Sequence, residues 1–557
     1  MANHLVSFAQ SKEEIDFILN KISQKILFIP LNLETLIYLN QKKISYLNPK
    51  YYFTNKKHKQ SLFFTEKFIS KLNYGNLTFE GLRLEFRSQI RFIINSCIFI
   101  IELYKKISED KNISLVLSGW HGKNFKKYSS NEIFLVSSIV ENCFNLKNII
   151  NISSDNKNTN KIRNFYNYFI KPNNIEKNSI LINNLGYNFY RILFYKKLFQ
   201  KVYCFNFGEK NLNFLKKIVF FLLGYREIIP EKKKIICEEF IKIPDIHLTY
   251  GPFDLSKIIN LRKNELVISL TDSINKLKAL NILFKKKKFK NYFCFHSRGL
   301  DGSIGELLYN TECNTVNVSH GTVVESYEKY DNLYKKIISD SVFSGKFKYF
   351  AVQSELCEKS LLNTNSKITK TIKTGNLIFS NVKKKISNKK YLLYAVTLKP
   401  FHGLQFFGVE MFYEFYENLN LLNNLVSKDK KIIVNVHASH KKILEEIKPF
   451  FPNLCFTCKK IDKVLNKSFA LISFSSTAIE DGLACNRYII LLDQWNRYQH
   501  FKPSSESEKN KIYYVNSSEQ LNELIDNLKK KKINENKFFK NDLKKNYNKI
   551  FNINNEN

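Results

Sequence analysis

Three neighbouring stretches in the last third of the chain bring together the side chains that hold a phosphate. Ser475-Ser476-Thr477 sets three hydroxyls in a row directly ahead of Ala478-Ile479-Glu480-Asp481-Gly482. Amides at a helix N-terminus, aided by the macrodipole, attract anions, and adjacent hydroxyls add donors. The same residues also fit a helix cap, since Thr477-x-x-Glu480 matches the Ser/Thr-x-x-Glu box, and the two uses are compatible. Upstream, Val436-His437-Ala438-Ser439-His440-Lys441 offers a histidine, a hydroxyl and a cation, and Thr397-Leu398-Lys399-Pro400-Phe401-His402 offers Lys399 and His402 to the same anion. Donors and cations converging from three places are the ordinary lining of a ligand cleft.

Histidines suited to proton transfer lie earlier in the chain. Thr315–Ser319 runs into His320-Gly321-Thr322, where the glycine permits close backbone approach and the imidazole titrates near neutrality, as a general base requires. A buried histidine satisfied within a tight turn is the other reading of His320. Two further histidines stand in similar surroundings: His121 in Trp120-His121-Gly122-Lys123, and His296 in His296-Ser297-Arg298-Gly299.

The elements that must position these residues read as parallel α/β units. From Tyr391 onward, short β-branched or aromatic runs occur at Tyr391–Leu398, Lys431–Ser439, Leu454–Cys458, Ala470–Ser475, Arg487–Asp493 and Tyr513–Ser517. They alternate with helical stretches at Gly408–Ser427, His440–Phe450, Ile461–Ser468, Thr477–Ala484 and Ser518–Lys529, which predicts a doubly wound sheet. In such sheets ligands sit outside the carboxyl ends of the strands, where all the residues named above fall. The front of the chain alternates only at its ends, with Ile26–Asn32 early and Tyr292–Ser297, Thr315–His320 and Lys348–Ser354 late. Between about Gln60 and Lys288 it reads as mostly amphipathic and helical, broken by Ile113–Ser118 and Ile149–Ser153. The domain expectation is therefore an N-terminal α/β domain over 1–380, a lysine-rich linker over 381–390, a C-terminal domain over 391–530 and a polar, fraying tail over 531–557.

Composition bounds these readings. The 557 residues, 44% hydrophobic, exceed one ordinary core. The net charge is +38 from 88 Lys+Arg against 50 Asp+Glu, with the lysines mostly dispersed. That pattern fits a solvated surface, or attraction of the protein to an anionic membrane face on which it would sit peripherally. No compact basic-aromatic patch or recognition motif points to nucleic acid. Ten scattered cysteines fit a reducing, cytoplasmic setting. Cys455 and Cys458 lack the second pair that a zinc site needs, so they read as strand residues. The N-terminus lacks a secretory signal, and the longest apolar run, Ile90–Leu103, falls short of the roughly 20 residues that span a bilayer.

Taken together, Val318-Ser319-His320-Gly321-Thr322, Thr374-Gly375-Asn376, Leu393–Pro400, Val436-His437-Ala438-Ser439 and Ile472–Glu480 resemble the surface-polysaccharide glycosyltransferases of GT-B fold. The likeness extends to capsule and lipopolysaccharide sialic-acid and Kdo transferases and to teichoic-acid glycerophosphotransferases, over about Tyr292 to Lys502. It implies two Rossmann-like α/β domains, the N-terminal one enlarged by helical insertions. It further implies a donor site of Lys399, His437, Ser439, Ser475, Ser476, Thr477 and Glu480, with Glu480 resembling the glutamate that grips ribose hydroxyls. Ala438 stands where the family has proline, so the loop after His437 is set differently. Retaining relatives carry a second glutamate eight positions before this one; here Ile472 occupies it, which favours inversion. No Asp-x-Asp pair occurs to bring a hard cation to a diphosphate, so the expected mechanism uses neither metal nor cofactor. The expected partners are a nucleotide-activated sugar and a glycan or lipid-linked acceptor, with His320 as base and His121 and His296 in reserve. The same motifs also fit transfer from a CDP-alcohol, or a nucleotide-sugar 2-epimerase that needs no acceptor.

Overall fold

Strand order in the computed structural model shows how these pieces assemble. The structure describes residues 4–110, 112–118, 136–144, 149–152, 165–172, 175–183, 196, 200–207, 214–235, 241–318, 333, 337, 340, 342–364, 370–375, 390–396, 412–436, 441–473, 476, 478–494, 511–531 and 548–553.

The first unit is a four-stranded parallel sheet of β1 (His4–Ala9), β2 (Ile26–Pro30), β3 (Ile113–Leu117) and β4 (Ile149–Asn151), in the order β2-β1-β3-β4. Every residue of β3 is buried, as a strand covered on both faces must be. After β5 (Phe165–Phe169) come β6 (Ser179–Ile182), β7 (Val202–Phe205), β8 (Tyr225–Ile228), β9 (Glu231–Ile235), β10 (Thr249–Tyr250) and β11 (Phe253–Asp254). The 31-residue helix Ser256–Lys286 then leads to β12 (Phe289–Cys294), β13 (Asn314–Val318), β14 (Tyr349–Val352) and β15 (Thr371–Lys373). Seven of these form a parallel sheet ordered β15-β14-β13-β12-β6-β7-β8, while β5 pairs antiparallel with β9 and β10 with β11.

The last sheet is parallel and six-stranded: β16 (Tyr391–Val396), β17 (Lys431–Val436), β18 (Cys455–Thr457), β19 (Ala470–Ser473), β20 (Tyr488–Leu492) and β21 (Ile512–Val515), ordered β18-β17-β16-β19-β20-β21. Both larger sheets are doubly wound: the chain fills one side, returns to the centre and fills the other. The two Rossmann-like units expected from the sequence are therefore present.

Two features add to these expectations. The N-terminal stretch 1–380 is enlarged by more than helices, because it carries the separate four-stranded sheet as well as the seven-stranded one. The helix Glu80–Asp110 joins the two, packing against Ser256–Lys286 and Gly299–Leu308. Within the tail, residues 548–553 are anchored. Ile550 and Phe551 are fully buried in the seven-stranded sheet's core with Ile180, Val202, Phe293 and Val316, and the Phe293 and Phe551 rings meet edge to face at 5.5 Å. Ile550, Phe551 and Ile553 are the buried apolar side chains that hold residues 548–553 there. The expected linker lies outside the described residues apart from Lys390.

Candidate functional site

In the six-stranded sheet the winding reverses between β16 and β19, which pair in register through Leu392↔Ala470 and Tyr394↔Ile472. Their carboxyl ends are tied where Ser473 Oγ donates to the Ala395 carbonyl at 2.8 Å. A crevice opens at such a switch point, and the residues that follow β16, β17 and β19 are those singled out from the sequence. Lys399, His437, Ser439, Ser475 and Thr477 themselves lie outside the described residues.

Ser476 and Glu480 are described. Ser476 Oγ accepts from the amide of Ala478 at 3.2 Å, so this hydroxyl caps the helix Ala478–Ala484. All seven helical residues are buried, and Gly482 explains the close seating. A Cβ there would come within 2.6 Å of Ile489 Cδ1 and 2.9 Å of Leu471 Cδ2, so glycine lets the helix lie this near β19 and β20 without displacing those side chains. That packing fixes Glu480, which is 1% exposed.

The carboxylate of Glu480 reaches out of its own sheet. Its Oε1 accepts from Ser354 Oγ at 3.0 Å. Ser354 follows β14 of the seven-stranded sheet and itself accepts from the Cys357 amide at 3.1 Å, capping the helix Glu355–Thr364. The carboxyl edges of the two doubly wound sheets thus meet at one buried hydroxyl–carboxylate contact, flanked by two helix N-termini. Lys50 pairs with Glu417 at 2.7 Å and Lys12 with Glu446 at 3.6 Å, so the four-stranded unit also touches the six-stranded one. Its helix Leu33–Gln41 packs there on Phe412–Leu425 and Lys441–Ile447.

On the seven-stranded side the winding reverses between β6 and β12, and His296 sits half-buried just beyond β12. The turn around it is braced from several directions. Asn183 Nδ2 donates to Asp301 Oδ1 at 2.6 Å, Ser297 Oγ donates to the Val342 carbonyl at 2.9 Å, and Asn317 Nδ2 donates to Ser297 Oγ at 2.7 Å. Arg298 reaches Glu85 at 3.5 Å and Ser88 Oγ at 3.2 Å. A side chain on Gly302 would strike the Ser297 carbonyl at 1.8 Å, so glycine alone admits this turn. Burial pushes the Tyr292 hydroxyl and the Cys294 thiol well above their usual values, which keeps both neutral.

The strands β12, β13 and β14 are consecutive neighbours in the sheet. At about 4.8 Å per strand, His296 and Ser354 leave the same edge roughly 10 Å apart, with the end of β13 between them. That end, Val318, leads into His320. Both His320 and His121, which follows β3, lie outside the described residues.

The sequence reading passed over Ser354 although it ended a recognised strand run; the signal was a hydroxyl at a carboxyl end. It also passed over Glu14. This carboxylate is buried at the winding reversal of the four-stranded sheet, where Gln10 N donates to Oε2 at 2.7 Å and Ser118 Oγ donates to Oε1 at 2.5 Å. Burial raises its pKa to about 7, against the opposing hydrogen bonds of Ser118, Gln10 and Ser11. Ser11-x-x-Glu14 is a capping-box spacing, and Ser11 Oγ accepts from Glu14 N at 3.1 Å.

The sheets and their facing edges define the chain as an α/β protein of two Rossmann-like domains preceded by a smaller parallel unit. No family model and no curated protein matches it. Among solved structures it is similar to the glycotransferase of kitacinnamycin, at 9% identity over 68% of this chain and 95% of that one, with a TM-score of 0.37. It is also similar to UDP-GlcNAc 2-epimerase from Methanocaldococcus jannaschii, at 15% identity over 69% and 100%, TM-score 0.38. The wall teichoic acid polymerase TagF gives 10% identity over 69% and 85%, TM-score 0.34. No helix among the described residues is long and apolar enough to cross a membrane.

Proposed function

We propose that the chain is a glycosyltransferase that moves a sugar from a nucleotide donor to a surface-glycan or lipid-linked acceptor. The observation that carries this reading is the Ser354–Glu480 contact, which puts the motif glutamate where the carboxyl edges of two doubly wound sheets meet. A carboxylate in that position is suited to accept hydrogen bonds from the two hydroxyls of a ribose. Ser475, Ser476, Thr477, His437, Ser439 and Lys399 follow strands of the same sheet and would hold the donor phosphates.

The reaction is a single displacement with inversion. An acceptor hydroxyl oxygen bonds to the anomeric carbon while the bond from that carbon to the phosphate oxygen breaks, and the electron pair leaves on the phosphate. His320 takes the acceptor proton, with His121 and His296 as the alternatives on the same N-terminal part. Lys399 and His437 balance the charge growing on the leaving phosphate through an oxocarbenium-like state.

Melting the protein with CMP, CDP, UDP and GDP tests the donor side, because a ligand of the folded state raises Tm. One nucleotide should do so, and its sugar conjugate should then label a glycan acceptor in the presence of EDTA. No stabilisation by any of the four would sink the reading, and full loss in EDTA restored by Mn²⁺ would sink its metal independence. Product from the nucleotide sugar alone would instead mark an epimerase.

A further inference from the structure

The helix Phe214–Leu222, which connects β7 to the edge strand β8, buries none of its nine residues. Phe214, Leu215, Ile218, Val219, Phe221 and Leu222 are 44–79% exposed. At about 100° per residue these six occupy one continuous arc of roughly 160°, while Phe220 points the opposite way. Phe220, with Leu223 just beyond the helix, packs on the seven-stranded sheet's core, so the helix is seated on its narrow side with its apolar face outward. A contiguous exposed apolar face of this kind marks an interaction surface.

The rim of this face is basic. Lys216 and Lys217 border the arc on its two sides, Lys217 resting 3.6 Å from Glu227. Arg226 lies over the Phe221 ring at 3.7 Å from its centroid and donates to the Phe221 and Tyr225 carbonyls at 2.9 and 2.8 Å. Lys196 stands beside Gly224 at the end of the helix, its Nζ donating to the Gln200 carbonyl at 2.6 Å. Burial lowers the Lys196 pKa first, and the nearby charges of Lys201 and Arg226 lower it further, which shows how closely the cations crowd. Beyond β8, Ile229 is 69% exposed and Lys232, Lys233 and Lys234 follow, all exposed.

We propose that the helix Phe214–Leu222 docks the protein on an anionic membrane leaflet, its apolar arc entering the acyl boundary and its basic rim meeting phosphate headgroups. A wide apolar face bordered by Lys and Arg is the composition of helices that lie in the membrane interface. The charge complementarity selects an anionic surface: each basic residue near such a leaflet strengthens binding by about fivefold. The inference does not need the sugar-transfer reading, since binding to vesicles is measured without donor or acceptor and either can fail alone.

The test is co-sedimentation of the full chain with vesicles of phosphatidylcholine alone and of phosphatidylcholine mixed with phosphatidylglycerol. Wild type should pellet with the mixed vesicles and stay largely free of the neutral ones. Phe214→Ser with Leu222→Ser should weaken that binding by about tenfold or more, since each residue forfeits apolar burial. Lys216→Gln should weaken it by about fivefold. Unchanged melting of both variants shows that the fold is intact, as expected for exposed positions. Equal binding to both vesicle types would overturn the anionic leaflet, and undiminished binding of the double variant would overturn the helix. If wild type ignores vesicles but self-associates in sedimentation velocity, and the double variant is monomeric, the face belongs to a second copy and the proposal is wrong.

Discussion

Glu14 carries a pH dependence that follows from its burial. Its carboxyl value rises from an ordinary 4.5 to about 7 because the charged form is desolvated. Below about pH 4.5 the carboxyl is protonated in the folded and unfolded chains alike, and its contribution to stability is fully present. Between 4.5 and 7 the unfolded chain has released the proton while the folded chain keeps it, so stability falls as pH rises. Above 7 the contribution is lost. At about 1.4 kcal/mol per pH unit between the two values, the whole effect is at most roughly 3 kcal/mol. Glu14→Gln should remove it without removing the contacts: the amide oxygen can still accept from Gln10 N, and the amide nitrogen can donate to Ser118 Oγ. The variant should therefore match wild type at pH 5 and exceed it at pH 8 by about 2–3 kcal/mol. Urea unfolding at both pH values, with hydrogen exchange of the β1 and β3 amides to localise the change, reads this out. Equal differences at the two pH values, or a variant weaker at pH 8, would refute the linkage.

Glu480→Gln should weaken binding of the nucleotide that stabilises the protein by about 10–100-fold, the worth of a lost charge-assisted hydrogen bond, as titration calorimetry would measure; unchanged affinity removes Glu480 from the donor site. His320→Ala should lower kcat by about 10²–10⁴-fold with donor affinity and Tm unchanged, whereas near-normal turnover by a folded variant passes the role to His121 or His296. Phe551→Ala should cost about 3–5 kcal/mol in denaturant unfolding, because the ring is buried against Phe293 in the seven-stranded sheet's core, and a loss below about 1 kcal/mol would show that the tail is not part of that core.

The C-terminal sheet was legible because each strand is a compact β-branched run followed by a helix of ordinary length. Tyr391–Leu398 contains β16, Lys431–Ser439 contains β17 and Ala470–Ser475 contains β19, the described residues of each run ending at Val396, Val436 and Ser473. The seven-stranded sheet was harder. Ser179–Ile182, Val202–Phe205 and Tyr225–Ile228 are four-residue strands, two of them wholly buried, and a fully buried strand shows no alternation by which to recognise it. Ser354 and Glu480 are 126 residues apart, and only the facing of two sheets joins them.

The helix Phe214–Leu222 shows a different limit. Its periodicity predicts an apolar face, and a sequence reading assigns such a face to the interior by default. Periodicity fixes which side chains share a face; it carries no information about what that face meets. Here the inward anchors are Phe220, between Lys216 and Lys217 on the helical projection, and Leu223 just past the helix, and they seat the narrow side on the sheet. The wide side is left outward, with Lys216 and Lys217 at its borders. The apolar surface left exposed is what a membrane can cover.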